Sequence, residues 1–560
     1  MKKYIFLLII SLCWISCARV GSPVGGAKDS LAPNVVGSNI DSTRVNVPRN
    51  IKQLRIDFDE YITLKEIQKN LIISPPIKYK RILPTTLGNK YVSIEWEEEL
   101  QENTTYNFNF GNAIADLNEG NILPYYNFAF STGEELDKIY ISGEVSNGVT
   151  KAKENTTKKN GYVVGLYKAS DSINYAQKPY YIGKADDDGY FELNFLSPGK
   201  YRLIAFDDTD GNSIYTPGKD DVFFENQDFD LQDNISGKKI TVFPSKKPVR
   251  LVDTKEITGG LLFNFEGKPE NVQFTSQSEK LKNYKVDHRK YSDSVIVWFD
   301  DAQLELPETN INEQLKFSYV ADSLKGNTSQ YYKKSGKEEF TLTNVVGAEI
   351  PPTGKFVLNS PRPITDIQPE KWTLKVDSLT VQPFTAKIME SNPYRLEIVS
   401  DFVHGKKYEL TIPKETLGTF YEKLPKSHMF NFGVDKPQNF GNLTMKLKSK
   451  PEAKFWAQLL TESDEVKYSQ LTDTNEFKFS TIKPGRYYVR LLVDNNGNGV
   501  WDEADFSKGL MAEEVFIFNK VIEIRAMWDN VEDQWDPLLK TEIQENTKVD
   551  DIKTNNENDN

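Results

Sequence analysis

The chain has 560 residues, 69 basic and 81 acidic side chains, a formal net charge of −12 and two cysteines. An acidic balance without a basic stripe excludes a nucleic-acid binder and disfavours modules lying on an anionic lipid surface. The length is ample for several hydrophobic cores, and aromatic residues at 12 % suit exported β proteins.

Lys2 and Lys3 open the chain, and an apolar run from Tyr4 to Ile15, broken by Ser11, follows them. The run is shorter than the ~20 apolar residues that span a bilayer and has the flanks of a signal-peptide core. It ends in Ile15-Ser16-Cys17, which resembles the bacterial lipobox, with Trp14 where that motif usually carries an aliphatic residue. The resemblance implies residues 1–16 as signal peptide, a diacylglycerol on the Cys17 thiol, and residues 17–31 as the lipidated cysteine and its flexible tether. An ordinary secretory signal with an incidental cysteine is the competing reading. Because the other cysteine, Cys13, lies inside the signal, the mature chain keeps one and forms no internal disulfide. By the same resemblance, the lack of the early Asp that marks inner-membrane retention in enteric lipoproteins implies an outer-membrane address; an acidic cluster of the kind that can mark surface export is also missing after Cys17, and the periplasmic and surface faces are both open. No second apolar stretch approaches spanning length, which makes the anchor the expected sole membrane contact.

From residue 50 onward strand signals dominate. Leu54-Arg55-Ile56-Asp57-Phe58 and Tyr106-Asn107-Phe108-Asn109-Phe110 alternate apolar and polar, and Val295 to Phe299 does so in part. Residues 63–70 offer one short helical stretch. Residues 187–215 align without gaps on residues 473–501, pairing Asp187 with Asp473, Pro198-Gly199 with Pro484-Gly485, Tyr201 with Tyr487 and Asp208 with Asp494. That register implies a duplication. Ahead of each copy, Thr104 to Phe108 is similar to Lys406 to Leu410, each followed by a closing Phe-x-Phe at 128–130 and 430–432.

Through Ala32-Pro33, Ile56-Asp57-Phe58-Asp59-Glu60, Leu71-Ile72-Ile73-Ser74-Pro75 and Asn103-Thr104-Thr105-Tyr106, residues 32–133 resemble the bacterial Ig-like domain of the SbsA type. Residues 349–434 are a diverged second likeness. Asp187-Asp188-Gly189-Tyr190-Phe191 and Pro198-Gly199-Lys200-Tyr201-Arg202-Leu203 resemble the carboxypeptidase-regulatory-like, transthyretin-type sandwich, which places such modules at 137–250 and 437–530. A further β module fills 251–346, and the polar tail 540–560 reads as disordered. The expected fold class is therefore all-β: tandem Ig-like and transthyretin-like β-sandwiches after a lipoprotein signal peptide.

One loop carries metal-ligand spacing. Asp494, Asn496, Asn498, the Val500 carbonyl, Asp502 and Asp505 occupy positions 1, 3, 5, 7, 9 and 12 of a calcium loop, with Gly499 at position 6. Asp505 stands in place of the bidentate Glu, and a strand leads in where a helix would. The same residues make a Gly/Asn-rich turn, since both types tolerate positive φ; both readings stand. The first copy keeps Asp208, Asp210 and Asn212 but has Ser213 for the glycine and Lys219 at the twelfth place. The segment from Gly111 to Asn121 is either a binding loop or a connector built on Asx turns.

Catalytic motifs are missing. His288, His404 and His428 lie far apart in sequence, the mature chain offers no free thiol, and neither a nucleophile elbow nor a phosphate loop occurs. Asp57, Asp59 and Glu60 cluster on a strand, where a solvated face is the plain reading. Tyr125-Tyr126, Tyr180-Tyr181 and Tyr331-Tyr332 present at most one ring per sheet face. These observations lead to a non-enzymatic cell-envelope lipoprotein that presents β-sandwich modules for structural or protein-interaction roles. It needs no cofactor, leaves calcium open, meets the membrane through its lipid, and has envelope proteins or glycans as partners. A carbohydrate-binding or substrate-capture lipoprotein is the alternative.

Overall fold

Period-two patterning shapes the strand Gln53–Leu64, which buries Leu54, Ile56, Phe58 and Ile62 and turns Arg55 and Asp59 to solvent. The computed structural model describes residues 29–150, 161–170, 172–306, 312–333, 340–377 and 380–539. The expected signal, Cys17 and the tail from 540 lie outside them. The protein is all-β, built from many small packed sheets. Among the described residues, no helix is long and apolar enough to cross a membrane.

Two compact units divide the chain. The first reaches Val145 and resumes over residues 161–215 and 225–240; the second holds residues 146–150, 216–224 and those described from Thr241 onward.

In the first unit, one sheet runs Val35–Ser38, Gln53–Leu64, Asn89–Trp96, Tyr79–Leu83, and Ile114–Asp116 joins the end of Gln53–Leu64. It packs on a sheet of Ile72–Ser74, Thr105–Gly111 and Tyr126–Ser131. Inward residues of both sheets meet in an aromatic core: Trp96 and Phe108 lie 6.0 Å apart, and Phe130 stacks on Tyr106 at 5.7 Å. Each such ring contributes roughly 1.5–3 kcal/mol by leaving water. The helical stretch expected over residues 63–70 is a single turn, Ile67–Asn70. Thr63 and Leu64 belong to the strand because their backbones pair with Ile114 and Ala115, and a ladder outcompetes so short a helix.

A second sandwich in this unit sets the sheet Tyr181–Lys184, Tyr162–Lys168, Gly199–Asp207, Phe229–Leu231 beside one containing Tyr190–Leu196, Ile139–Asn147 and Ile235–Val242. Backbones approach closely there, since a Cβ on Gly143 would meet the Lys238 carbonyl oxygen at 1.9 Å.

Among the described residues, the second unit contains three separate cores. Phe263, Phe274, Phe317 and Tyr332 centre one built from the strands between Arg250 and Tyr332. Phe356, Leu374, Leu396, Tyr408 and Phe432 centre the next, where Phe356 stacks on Phe432 at 4.0 Å. Met445, Phe455, Phe477, Tyr487 and Leu491 centre the last.

The duplication is visible bond by bond. Tyr190–Leu196 and Gly199–Asp207 have counterparts in Glu476–Ile482 and Gly485–Asp494. The Tyr201 hydroxyl donates to the Ser197 carbonyl at 2.9 Å, and Tyr487 donates to the Lys483 carbonyl at the same distance. A left-handed residue interrupts each first strand at the same place, Phe195 at φ 59° and Thr481 at φ 58°. Beyond Tyr215 and Trp501 the offset rises from 286 to 293. Leu231 pairs with Gly199 while Ile524 pairs with Gly485, so the second copy carries seven extra residues in the intervening segment.

Candidate functional site

The strand Gly485–Asp494 delivers Asp494, nearly buried, to the mouth of the proposed calcium loop. Its two oxygens accept the backbone N–H groups of Asn498 at 3.0 Å and Gly499 at 2.9 Å. Asn498 Oδ1 accepts from the Val500 N–H at 2.9 Å. The side-chain amides of Asn496 and Asn498 both donate to Asp502 Oδ2, at 2.5 and 2.8 Å. Asp505 turns to Ser507, which donates to it at 2.6 Å, and sits 3.7 Å from Lys508. Of the predicted ligands, Asp494, Asn496, Asn498 and Asp502 are thus brought together with oxygens occupied by N–H groups of the loop itself, whereas Asp505 is not among them. Among the described residues, no group of three or more His, Cys, Asp or Glu side chains is placed to hold a metal ion.

Glu513 closes this loop and has no place in the twelve-residue spacing. It accepts the backbone N–H groups of Asn495 at 2.6 Å, Asn496 at 3.2 Å and Asp502 at 2.9 Å. Burial pushes its carboxyl above the usual range, against the pull of those three donors. Two indoles complete the frame: Trp456 donates to the Gly499 carbonyl at 3.1 Å, and Trp501 to the Glu513 carbonyl at 3.0 Å. Glu513 falls in the segment where the second copy is longer, so the repeat gives no sign of it.

The first copy repeats the cap. Asp208, fully buried, accepts from Asn212 at 3.0 Å and Ser213 at 2.9 Å, and Asn212 accepts from Ile214 at 2.8 Å. Ser213 takes φ 58° where the second copy has Gly499 at φ 88°. Asp210 lies in the same turn and is occupied by other contacts.

Within the Gly111–Asn121 segment, Ile114–Asp116 form a short strand. Asp116, buried at its end, accepts the N–H groups of Glu119, Gly120 and Asn121 at 2.6, 2.9 and 2.8 Å. Although burial opposes its charge, these donors hold the carboxyl below its ordinary range. The connector reading therefore describes its local geometry.

The remaining candidates are dispersed. His404 Nδ1 lies 2.7 Å from the Val434 carbonyl and His428 Nδ1 3.1 Å from that of Lys426, while burial lowers the pKa of His288. Asp57 pairs with Arg55 at 2.8 Å, and Asp59 accepts from Asn34 at 2.9 and 3.0 Å. Of the tyrosine pairs, Tyr125 and Tyr331 are exposed, whereas Tyr332 and Tyr181 are buried. Tyr180 is half-buried, donates to Gln101 at 3.0 Å and carries the Lys168 ammonium 3.8 Å above its ring. A groove of ≈ 1080 Å³ in the first unit is lined by Tyr79, Tyr167 and Tyr180 together with Asn174 and Gln177.

No curated protein matches the chain. Solved structures similar to it include a DUF3823 family protein from Bacteroides ovatus, 14 % identical, covering 35 % of this chain and 100 % of its own, at a TM-score of 0.12. The S-layer protein SbsC is 9 % identical over 89 % of this chain and 68 % of its own, at 0.15. SGBP-B of the Bacteroides ovatus mixed-linkage glucan utilization locus, solved with a mixed-linkage heptasaccharide, is 9 % identical over 70 % and 94 %, at 0.18. At these scores none of the three bears on function. A family model described as a bacterial Ig-like domain matches residues 29–132, the module with the Asp116 loop.

Proposed function

We propose that the protein is a non-enzymatic lipoprotein of the cell envelope, anchored through Cys17, whose β-sandwich modules serve as scaffold and protein-interaction surfaces. One observation carries this reading: the loops richest in chemistry spend their carboxylates on their own backbones. Asp116, Asp208, Asp494 and Glu513 together accept ten backbone N–H bonds. Such groups fix the shape of a turn and leave little capacity for proton transfer or a substrate. The copies at 137–250 and 437–530 are read as regulatory-like, transthyretin-type modules that repeat one stable unit.

Metabolic labelling with an alkyne fatty acid tests the anchor. The wild-type protein is expected to take the label and stay with membranes, and Cys17→Ala to lose the label and turn soluble. Label on Cys17→Ala, or its retention in membranes, overturns the anchor. In-cell cross-linking to an envelope protein supports the interaction role. Binding on a glycan array that Tyr79→Ala abolishes, with no cross-linked protein, replaces it with glycan capture in the groove.

A further inference from the structure

We propose that one face of the bacterial Ig-like domain, beside the point where the tether enters, rests on the lipid surface that holds the anchor. This rests on the reading of Cys17 as lipidated and adds a second membrane contact to it. Five large apolar side chains crowd this end in the open: Leu87 is 83 % exposed, Leu31 70 %, Tyr61 52 %, Leu117 45 % and Ile122 41 %.

Strand register puts the central ones on one face. Ile62 pairs with Asp116 and Thr63 with Ala115, so the next pair outward is Tyr61 and Leu117, whose N–H donates to the Tyr61 carbonyl at 2.9 Å. Ala115 bridges to Ile122. Side chains alternate faces along a strand and cross-strand partners share one; Tyr61, Leu117 and Ile122 therefore project together. Leu117 also lies over Gly88, where a Cβ would meet its Cδ2 at 2.7 Å, which brings in the neighbouring Leu87.

The tether arrives at the same place. Asn121, next to Ile122, donates its side-chain amide to the Asp29 carbonyl at 3.1 Å, and Leu31 follows two residues later. Twelve peptide steps from Cys17 to Asp29 reach at most roughly 40 Å even when fully extended. The acyl chains thus hold this end of the domain near the bilayer, and a short tether keeps its effective concentration there high. An apolar face this exposed calls for a partner, and the nearest apolar phase is the one at the other end of the tether.

Composition fits an interfacial contact. A tyrosine and aliphatic side chains sit with Lys90, whose ammonium lies 5.6 Å from the Tyr61 ring, and Lys65, which donates to the Gly120 carbonyl at 2.8 Å. Glu60 stands here too, its carboxyl pushed above the usual range by burial and by the charges of Asp116, Asp29, Asp59 and Glu119. The surface it fits is accordingly zwitterionic, rich in phosphatidylethanolamine, and not strongly anionic.

The test uses the full-length protein purified with its acyl chains and reconstituted in phosphatidylethanolamine-rich vesicles. An environment-sensitive fluorophore is placed on Leu87→Cys, and on Asp188→Cys as an exposed control in the next module. The probe at position 87 is expected to shift to the blue and be quenched by brominated lipid, while that at 188 reports water. Adding Leu31→Asp is expected to weaken the quenching and leave the protein anchored. Mass spectrometry of the Cys17 peptide reads the anchor separately. A lipidated protein whose probe at 87 stays in water overturns the docking face and leaves the anchor standing. An unmodified Cys17 removes the anchor and the proposal with it. A probe buried in native membranes but not in pure lipid assigns the face to a protein and also overturns it.

Discussion

Asp494 spends both carboxylate oxygens on N–H groups that a tight turn leaves without partners, and does so almost wholly out of water. Removing the carboxylate strands two donors, so Asp494→Ala is expected to cost about 2 kcal/mol, read as a lower urea midpoint for the module whose core holds Phe455 and Leu491. The wild-type midpoint is expected to be the same with calcium and with chelator. A rise with calcium would mean that an ion binds the folded loop and would return the loop to its cation reading. The oxygen positions were legible in the sequence; what they face was not. Alternate carboxylates and amides in a Gly-rich turn suit an inward-pointing ion and inward-pointing N–H groups equally. Glu513, which settles much of the local bonding, comes from beyond the motif, and no spacing rule reaches it.

At the scale of elements, the strand Tyr181–Lys184 lies against the Ig-like domain within the first unit. The Ile182 N–H donates to Ser74 Oγ at 3.1 Å, and the Lys184 ammonium donates to the Lys69 carbonyl at 2.5 Å. Burial lowers the Lys184 pKa, partly offset by Asp208. In the window between this lowered value and the ordinary lysine value, the unfolded chain holds a proton that the folded one lacks. Stability of the first unit is therefore expected to rise with pH across that alkaline window, and the rise to disappear in Lys184→Met. Denaturant melts on both proteins across the window would show it, and an equal slope in both would assign the effect elsewhere. Strands were the most readable elements, because Leu54, Ile56 and Phe58 alternate as a half-buried strand must. The left-handed kink shared by Phe195 and Thr481 was hidden, since neither side chain advertises positive φ. The extent of the short helix was misread because Thr63 and Leu64 have backbone partners that only the fold supplies.

For the molecule as a whole, separate cores imply separate transitions. The core around Phe356 and Phe432 shares no buried residue with those around Phe263 or Phe455, and a chain so divided does not unfold as one two-state system. Arg362 offers a local handle. It is buried, and its guanidinium lies 2.7 Å from Glu422, whose carboxyl burial raises even against the pull of that charge. Breaking such a pair leaves an uncompensated cation, so Glu422→Gln is expected to cost about 3 kcal/mol, while replacing both partners with apolar residues of similar volume should be nearly neutral. In calorimetry Glu422→Gln should then bring forward the transition of the core that contains Trp372 and Phe432, and Arg362→Met with Glu422→Leu should return it. The first unit's transition should stay where it was in both proteins. If every transition moved together, the modules would be folding as one body, and a scaffold of independently stable sandwiches would no longer describe this chain.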